Sequence, residues 1–309
     1  MKLGPIEDLD AWAAQVKERI DGRPVVASIS GGKDSTAMAL LLKAAGIEFR
    51  AIHFDTGWEH KETERYVRET LPSQLGMEVE ILKGKYDGME ELVRKRGMFP
   101  GARRRFCTEE LKVFPAKKLI NSYEDEPVNA VGIRASESLA RSKYPEWEES
   151  NMMNCEVWRP LIRWSEQDVI DIHKTFGVRP NPLYLMGARR VGCWPCVYAR
   201  KSELKLIAEI DPERVGLVRQ LEAEVTEIVR EKKGDEFNGK PVTMFKRRTK
   251  EGYQGFPIDD VMAWSKTSHG GRQVEMFSSD SATEGCMRWG MCESHVDDDD
   301  KGWSDGEEG

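Results

Sequence analysis

Three groups of side chains in this chain have the types and spacing that chemistry needs. The first is Ser30-Gly31-Gly32-Lys33-Asp34-Ser35, between an apolar run at 25–29 that ends on Ser28 and Ile29 and an apolar segment at 36–45. Two glycines allow a sharp turn and close backbone approach to a ligand. A helix that starts here aims its free N–H groups and positive dipole end at the loop, which suits an anion, phosphate above all. Lys33 adds a mobile charge, and Ser30, Ser35 and Thr36 add hydroxyl donors. The loop is not a Walker A motif, because Gly-x-x-x-x-Gly-Lys-[Ser/Thr] is absent.

The second group sits at expected strand ends. Asp55, in His53-Phe54-Asp55-Thr56-Gly57-Trp58, can accept from a ribose hydroxyl or help hold magnesium. Glu62 reads more simply as an acid at a helix start. In Gly132-Ile133-Arg134-Ala135-Ser136-Glu137-Ser138, Arg134 offers a planar fork for phosphate or sulfate, and Glu137 can position it or anchor a metal.

The third group is sulfur. Cys193-Trp194-Pro195-Cys196 can chelate a metal or cycle between thiols and disulfide. Cys107 follows Arg103-Arg104-Arg105, and Cys286 and Cys292 lie near the C-terminal end. No histidine shares the cysteine spacing, and four thiolates suit zinc or an iron–sulfur cluster equally. Cys155 reads as a small buried hydrophobe in a strand. Arg103 to Arg105, Arg189, Arg190, Arg200, Lys201 and Lys246 to Arg248 form either a solvated face or a positive mouth for an anionic substrate or a nucleic-acid strand. Trp194, Tyr198 and Trp289 are candidates for base stacking or for burial.

These groups need elements to hold them. The pattern predicts strands at 25–29, 49–54, 79–82 and 127–133, and helices at 11–20, 36–45, 61–71, 87–96, 108–120 and 168–176. Such alternation gives an α/β fold with a doubly wound, mostly parallel sheet, whose ligands sit at the carboxyl ends of strands. Residues 202–232 read as helical and charged. From Gly234 onward the chain reads as irregular, Gly-rich and basic, then cysteine-bearing. The expected organisation is a nucleotide domain at 1–200 and a helical extension at 201–309 with a C-terminal segment that folds back and an acidic tail.

The chain has 309 residues, 39% hydrophobic and 33% charged, with a net charge of −7. That charge argues weakly against a broad nucleic-acid surface, although much of it lies in the tail at Asp297 to Asp300, Asp305, Glu307 and Glu308. The longest apolar run is too short for a bilayer, and residues 1–20 hold no signal-peptide core. A cytoplasmic address is expected, where cysteines serve as ligands or catalysts more often than as disulfides.

The loop Ser30 to Ser35 also resembles the PP-loop of ATP pyrophosphatases, a superfamily that includes the ATP sulfurylase small subunit, tRNA-thiolating enzymes and PAPS reductase-like proteins. Asp55-Thr56-Gly57 with Glu62-Thr63, and Gly132-x-Arg134-x-x-Glu137-Ser138-x-x-Arg141, are similar to further signatures of that family. The segment Trp158-Arg159-Pro160-Leu161-Ile162-x-Trp164 matches another and reads as packing. The resemblance spans about residues 24–200. It implies an adenine nucleotide alpha hydrolase-like, Rossmann-like fold and ATP cleaved between its α and β phosphates through an adenylated intermediate. It implies nucleotide contacts at Ser28, Ser30, Gly31, Gly32, Lys33, Asp34, Ser35, Asp55, Gly132, Arg134 and Glu137, with Lys33, Asp34 and Arg134 catalytic and Mg2+ present.

Cys107 to Pro115 resembles the Cys-Cys-x-x-Arg-Lys-x-x-Pro segment of iron–sulfur sulfate reductases, with Thr108 in place of the second cysteine and Leu111 in place of the arginine. The resemblance implies a [4Fe–4S] cluster, or zinc as the alternative, on Cys107, Cys193, Cys196 and either Cys292 or Cys286. Three functions follow as expectations. One is an ATP-using sulfur transferase with an adenine nucleotide, a sulfur acceptor or redox donor, and a nucleic acid as one possible substrate. Another is a PAPS or APS reductase. Against it, Glu284-Gly285-Cys286-Met287-Arg288 stands where that reductase motif has Glu-Cys-Gly-[Leu/Ile]-His. The third is a non-catalytic nucleotide-binding regulator, against which an intact Lys33 and Asp34 argue.

Overall fold

A computed structural model describes residues 1–267 and Trp289. Its centre is a six-stranded sheet in the order β3-β2-β1-β4-β6-β5. The strands are β1 (Val25–Ser28), β2 (Arg50–Asp55), β3 (Val79–Lys83), β4 (Val128–Val131), β5 (Trp147–Ser150) and β6 (Cys155–Trp158). All neighbours pair in parallel except β5 with β6. Parallel strands covered on both faces need continuous apolar runs, and Val25, Val26, Ala27, Val128 and Ala130 are all buried. The α/β, mostly parallel fold is as the alternation predicts.

The chain builds β1, β2 and β3 outward in one direction, then returns to lay β4 on the other side of β1. That reversal opens a crevice at the carboxyl ends of β1 and β4, the usual ligand position in open α/β sheets. Helix Lys33–Ala44 leaves β1 into this crevice and packs on helix Glu166–Thr175. Its buried side chains Ala37, Met38, Leu41 and Leu42 join the core that backs the sheet.

Several elements differ from the sequence pattern. The first helix after β1 begins at Lys33, three residues before the apolar run, so Lys33, Asp34 and Ser35 form its first turn. The helices expected at 61–71 and 108–120 each contain a wider π turn, at Tyr66–Thr70 and Glu109–Val113. The region after Gly234, expected to be irregular, forms an antiparallel hairpin of β7 (Phe245–Thr249) and β8 (Gly252–Phe256), then helix Ile258–Ser265. The edge strand β5 carried no apolar alternation to announce it.

Helices Lys201–Ile210 and Pro212–Lys233 share a second core with Trp58, Leu92, Phe106 and Trp194. No described helix is long and apolar enough to cross a membrane. Cys286, Cys292 and the acidic tail lie outside the described residues.

Candidate functional site

The phosphate-loop geometry starts with Gly31. Its φ is +74°, and a Cβ there would stand 2.6 Å from a Val67 methyl. Backbone freedom and space both demand glycine at this point. Gly32 caps the helix without a side chain. Ser35 Oγ accepts from the Ser30 amide at 3.1 Å and donates to the Gly32 carbonyl at 3.0 Å, so this hydroxyl ties the loop to its own helix.

Strand β4 presses against the same turn. A Cβ on Gly132 would lie 2.7 to 2.9 Å from backbone atoms of Asp34 and Ser35. Two residues on, Arg134 is buried, and its Nε donates to the Asp34 carboxylate. Its Nη1 donates to Ser136 Oγ at 2.9 Å. Glu137 accepts from the Arg134 amide at 2.8 Å and pairs with Arg141, so it holds the backbone that carries the guanidinium.

Lys33 is also buried. Its Nζ donates to the Arg189 carbonyl at 3.2 Å, lies 3.3 Å from Glu166 and sits 5.0 Å above the Tyr184 ring. Its amide donates to the Tyr184 hydroxyl at 3.0 Å. Burial pushes that phenol well above its ordinary range, so it stays a neutral acceptor. Asn181 donates to the Gly31 carbonyl at 3.2 Å and caps the short helix Pro182–Leu185. The one local signal for this contact in the sequence is the Asn-Pro helix start.

The other strand-end residues divide. Ser28 closes β1 in register with Ile52 and Val131. Asp55 stands at the end of β2, with its carboxylate accepting from the Gly57 amide at 3.0 Å and from Arg68 at 2.7 Å. Among the described residues no hydrogen bond joins it to the phosphate loop. Glu62 pairs with Arg65, as a helix-start acid would. Glu59, four residues after Asp55, is buried and accepts from Thr56 and from the Trp58 amide.

A second pocket gathers sulfur. Burial raises the Cys107 thiol, and a charged Cys196 nearby would raise it further, while Arg105 lowers it. Burial also raises Cys193, against the pull of Lys112. Lys112 in turn is held more firmly charged by Cys193, then by Glu59, Cys107 and Cys196. Three thiols, one ammonium and one carboxylate therefore act on one another across this pocket. Among the described residues no group of three or more His, Cys, Asp or Glu side chains has metal-holding geometry. The described sulfur set stops at three, one short of the four that a closed cluster or zinc site uses.

The two pockets share one stretch of chain. Residues 181–191 lie over the phosphate loop, and the chain then enters Cys193-Trp194-Pro195-Cys196. There the Trp194 amide donates to the Trp58 carbonyl at 2.8 Å, and the Trp58 indole donates to the Pro195 carbonyl at 2.9 Å. Trp194 and Trp289 are buried, whereas Tyr198 stays exposed.

Comparison with known proteins gives this arrangement a family. A protein of Escherichia phage 186, uncharacterised and of 37.8 kDa, is 30% identical over 87% of this chain and 96% of its own length. An uncharacterised protein of Methanocaldococcus jannaschii is 31% identical over 62% of this chain and 40% of its own length. A crystal structure of phosphoadenylyl-sulfate reductase from Candida auris, in a phosphate complex, covers 63% of this chain and 97% of its own at 18% identity, with a TM-score of 0.46. The phosphoadenosine phosphosulfate reductase domain model matches residues 24–199, from the strand before the phosphate loop to just past Cys196, and the chain belongs to that family.

Proposed function

We propose that this chain binds ATP on the loop at 30–35, cleaves it between the α and β phosphates, and couples that activation to sulfur transfer through Cys107, Cys193 and Cys196. One observation carries the reading: the stretch 181–196 contacts Gly31 and Lys33 at one end and supplies two of the three thiols at the other. An acceptor oxygen would form its new bond to the α-phosphorus as the bond to the bridging oxygen breaks and pyrophosphate leaves; hydrosulfide held at the thiols would then bond to the acceptor carbon as its bond to the adenylated oxygen breaks, releasing AMP and a proton. Lys33 and the helix-start amides suit the charge that develops on that leaving group. Arg134, already planar and fixed by Asp34 and Ser136, suits a phosphoryl or sulfuryl oxygen.

Asp34 and Asp55 are both bound to guanidiniums, so Mg2+ would enter on the nucleotide's own phosphates. A [4Fe–4S] cluster, or zinc, on the three thiols and either Cys286 or Cys292 extends the proposal; a cluster would supply electrons to sulfur. Reduction of PAPS or APS to sulfite is the second reading, favoured by the description of the matching family model.

The test is pyrophosphate release from ATP with candidate acceptors, beside sulfite formation from PAPS with a thiol donor. Release that Lys33→Ala abolishes supports the first reading, and its absence with every acceptor removes it. Sulfite production establishes the second. Anaerobic iron and sulfide analysis, with absorbance near about 400 nm, decides the cluster.

A further inference from the structure

One run of surface outside both pockets alternates cations with exposed aromatic rings. It starts at the thiol pocket. Arg103 and Arg104 project from a tight turn closed by the Gly101 and Arg104 backbones at 3.0 and 3.1 Å. Arg105 lies 5.4 Å above the ring of Tyr198, whose hydroxyl donates to the Ala102 carbonyl and whose amide donates to Cys196 Sγ at 3.5 Å. Three residues on, Lys201 lies 5.2 Å above Trp264. Trp264 meets Phe256 edge-on at 6.4 Å, and Arg247 covers Phe256 at 5.3 Å. Phe256 and Arg247 lie on one face of the β7–β8 hairpin, and Arg248 and Tyr253 pair on the other.

Two rings of the run are open to solvent, Tyr198 at 43% and Trp264 at 39%; Tyr253 is open on the other hairpin face. Arg103, Arg104 and Arg247 are exposed and have no carboxylate partner among the described residues. The whole chain is acidic, with acids far outnumbering bases after Thr267, so this run is no sample of a generally basic surface. Unpartnered cations gain by replacing the counterions of phosphates. Exposed ring faces gain by stacking on bases that are already unstacked. An acidic peptide would use the cations and leave the rings idle, and a duplex would keep its bases from them.

We propose that this run is a docking surface for a single-stranded nucleic acid, with the arginines on the backbone and Tyr198 and Trp264 under the bases. Because it begins at Cys196, the bound strand is also the acceptor class for the sulfur transfer proposed above. That last step rests on the proposed function; the binding does not.

The experiment is fluorescence anisotropy with the full chain, no nucleotide added, and labelled DNA and RNA oligonucleotides of about 20 nucleotides over a salt series. Binding that weakens linearly in log salt is expected. The Arg103→Ala/Arg247→Ala variant should lower the salt slope by about 1.4, two backbone contacts at about 0.7 each. Tyr198→Ala should weaken binding about tenfold with the slope unchanged, and Tyr253→Ala, on the other hairpin face, should leave binding unchanged. All four side chains are exposed, and an unchanged circular dichroism spectrum shows the variants folded. No binding of single strands at low salt overturns the proposal. So does tighter binding of the matching duplex, or competition by polyglutamate equal to that of the oligonucleotide per unit charge. Failure of ATP binding with intact oligonucleotide binding removes the nucleotide reading and leaves this surface standing.

Discussion

At the scale of single residues, the phosphate loop is held by two contacts that leave no room for substitution. Asp34 is the carboxylate that neutralises buried Arg134. Removing one partner of a buried pair leaves an unpaired charge, so Asp34→Ala should lose about 3 kcal/mol of stability in urea. Added phosphate or ATP should restore more stability to this variant than to the native chain, since the anion gives Arg134 a new partner. An unchanged urea midpoint would show that the pair does not hold the loop. Gly132→Ala tests the other contact. Its Cβ would strike the Asp34 and Ser35 backbone, which cannot rotate away as a side chain can. Isothermal titration should show ATP affinity reduced at least about tenfold with the fold retained, a loss of about 1.4 kcal/mol or more; native affinity would mean that the helix start shifts freely. Both residues were legible in the sequence as members of motifs. Their mutual contact was not, because β4 meets the loop only after about a hundred residues of intervening fold. Asn181 and Tyr184 were missed for the same reason: nothing local marks a tyrosine as the acceptor for a loop amide.

At the scale of elements, strands buried on both faces were readable and elements held by pairing alone were not. β1, β2 and β4 are largely apolar runs, with β2 ending on Asp55 and β4 before Gly132, so pattern and structure agree to within a residue or two at most ends. β7, Phe-Lys-Arg-Arg-Thr, is exposed through its middle and shows no period-two alternation, so it carried no signal. The start at Lys33 was missed because Gly-Gly-Lys-Asp adds nothing to an apolar stripe. Helix Glu166–Thr175 supplies a prediction of its own. Its His173 is buried, donates from Nδ1 to the Val169 carbonyl at 2.7 Å, and meets Trp289 edge-on at 5.2 Å. Burial lowers its pKa from 6.5 to about 4; Asp34 opposes that shift and Lys33 adds to it. With the folded value depressed, the unfolded chain takes the proton first. The stabilisation is complete above about pH 6.5 and fades as pH falls towards about 4, by about 3 kcal/mol in all. Urea titrations across that window should show a steeper loss for the native chain than for His173→Gln. Parallel slopes would place the acid sensitivity elsewhere.

At the scale of the whole molecule, the helices after residue 200 are wired into the thiol pocket, and Asp211 is the junction. It caps helix Pro212–Lys233 by accepting from the Arg214 amide at 3.0 Å. Its other oxygen accepts from the Trp194 indole at 3.0 Å and lies 3.6 Å from His60. Arg214 in turn donates to the Glu59 carbonyl at 2.8 Å and lies over Trp58. Trp58 and Trp194 are the residues whose backbones fix the Cys193–Cys196 turn. A single carboxylate thus anchors one helix end and one wall of the pocket. Asp211→Ala should lose about 1 kcal/mol for the cap and more for the stranded indole N–H. With that wall loosened, Cys193 should react several-fold faster with a thiol reagent under native conditions, since burial holds its thiol back. Asp211→Asn separates shape from charge. Asparagine has one oxygen for the two donors, so it keeps the cap or the Trp194 bond and turns its NH2 towards the other. An intermediate thiol rate is therefore expected for it, and the fast rate for alanine. If both variants modify at the native rate, the helical extension is a neighbour of the pocket and not part of its wall.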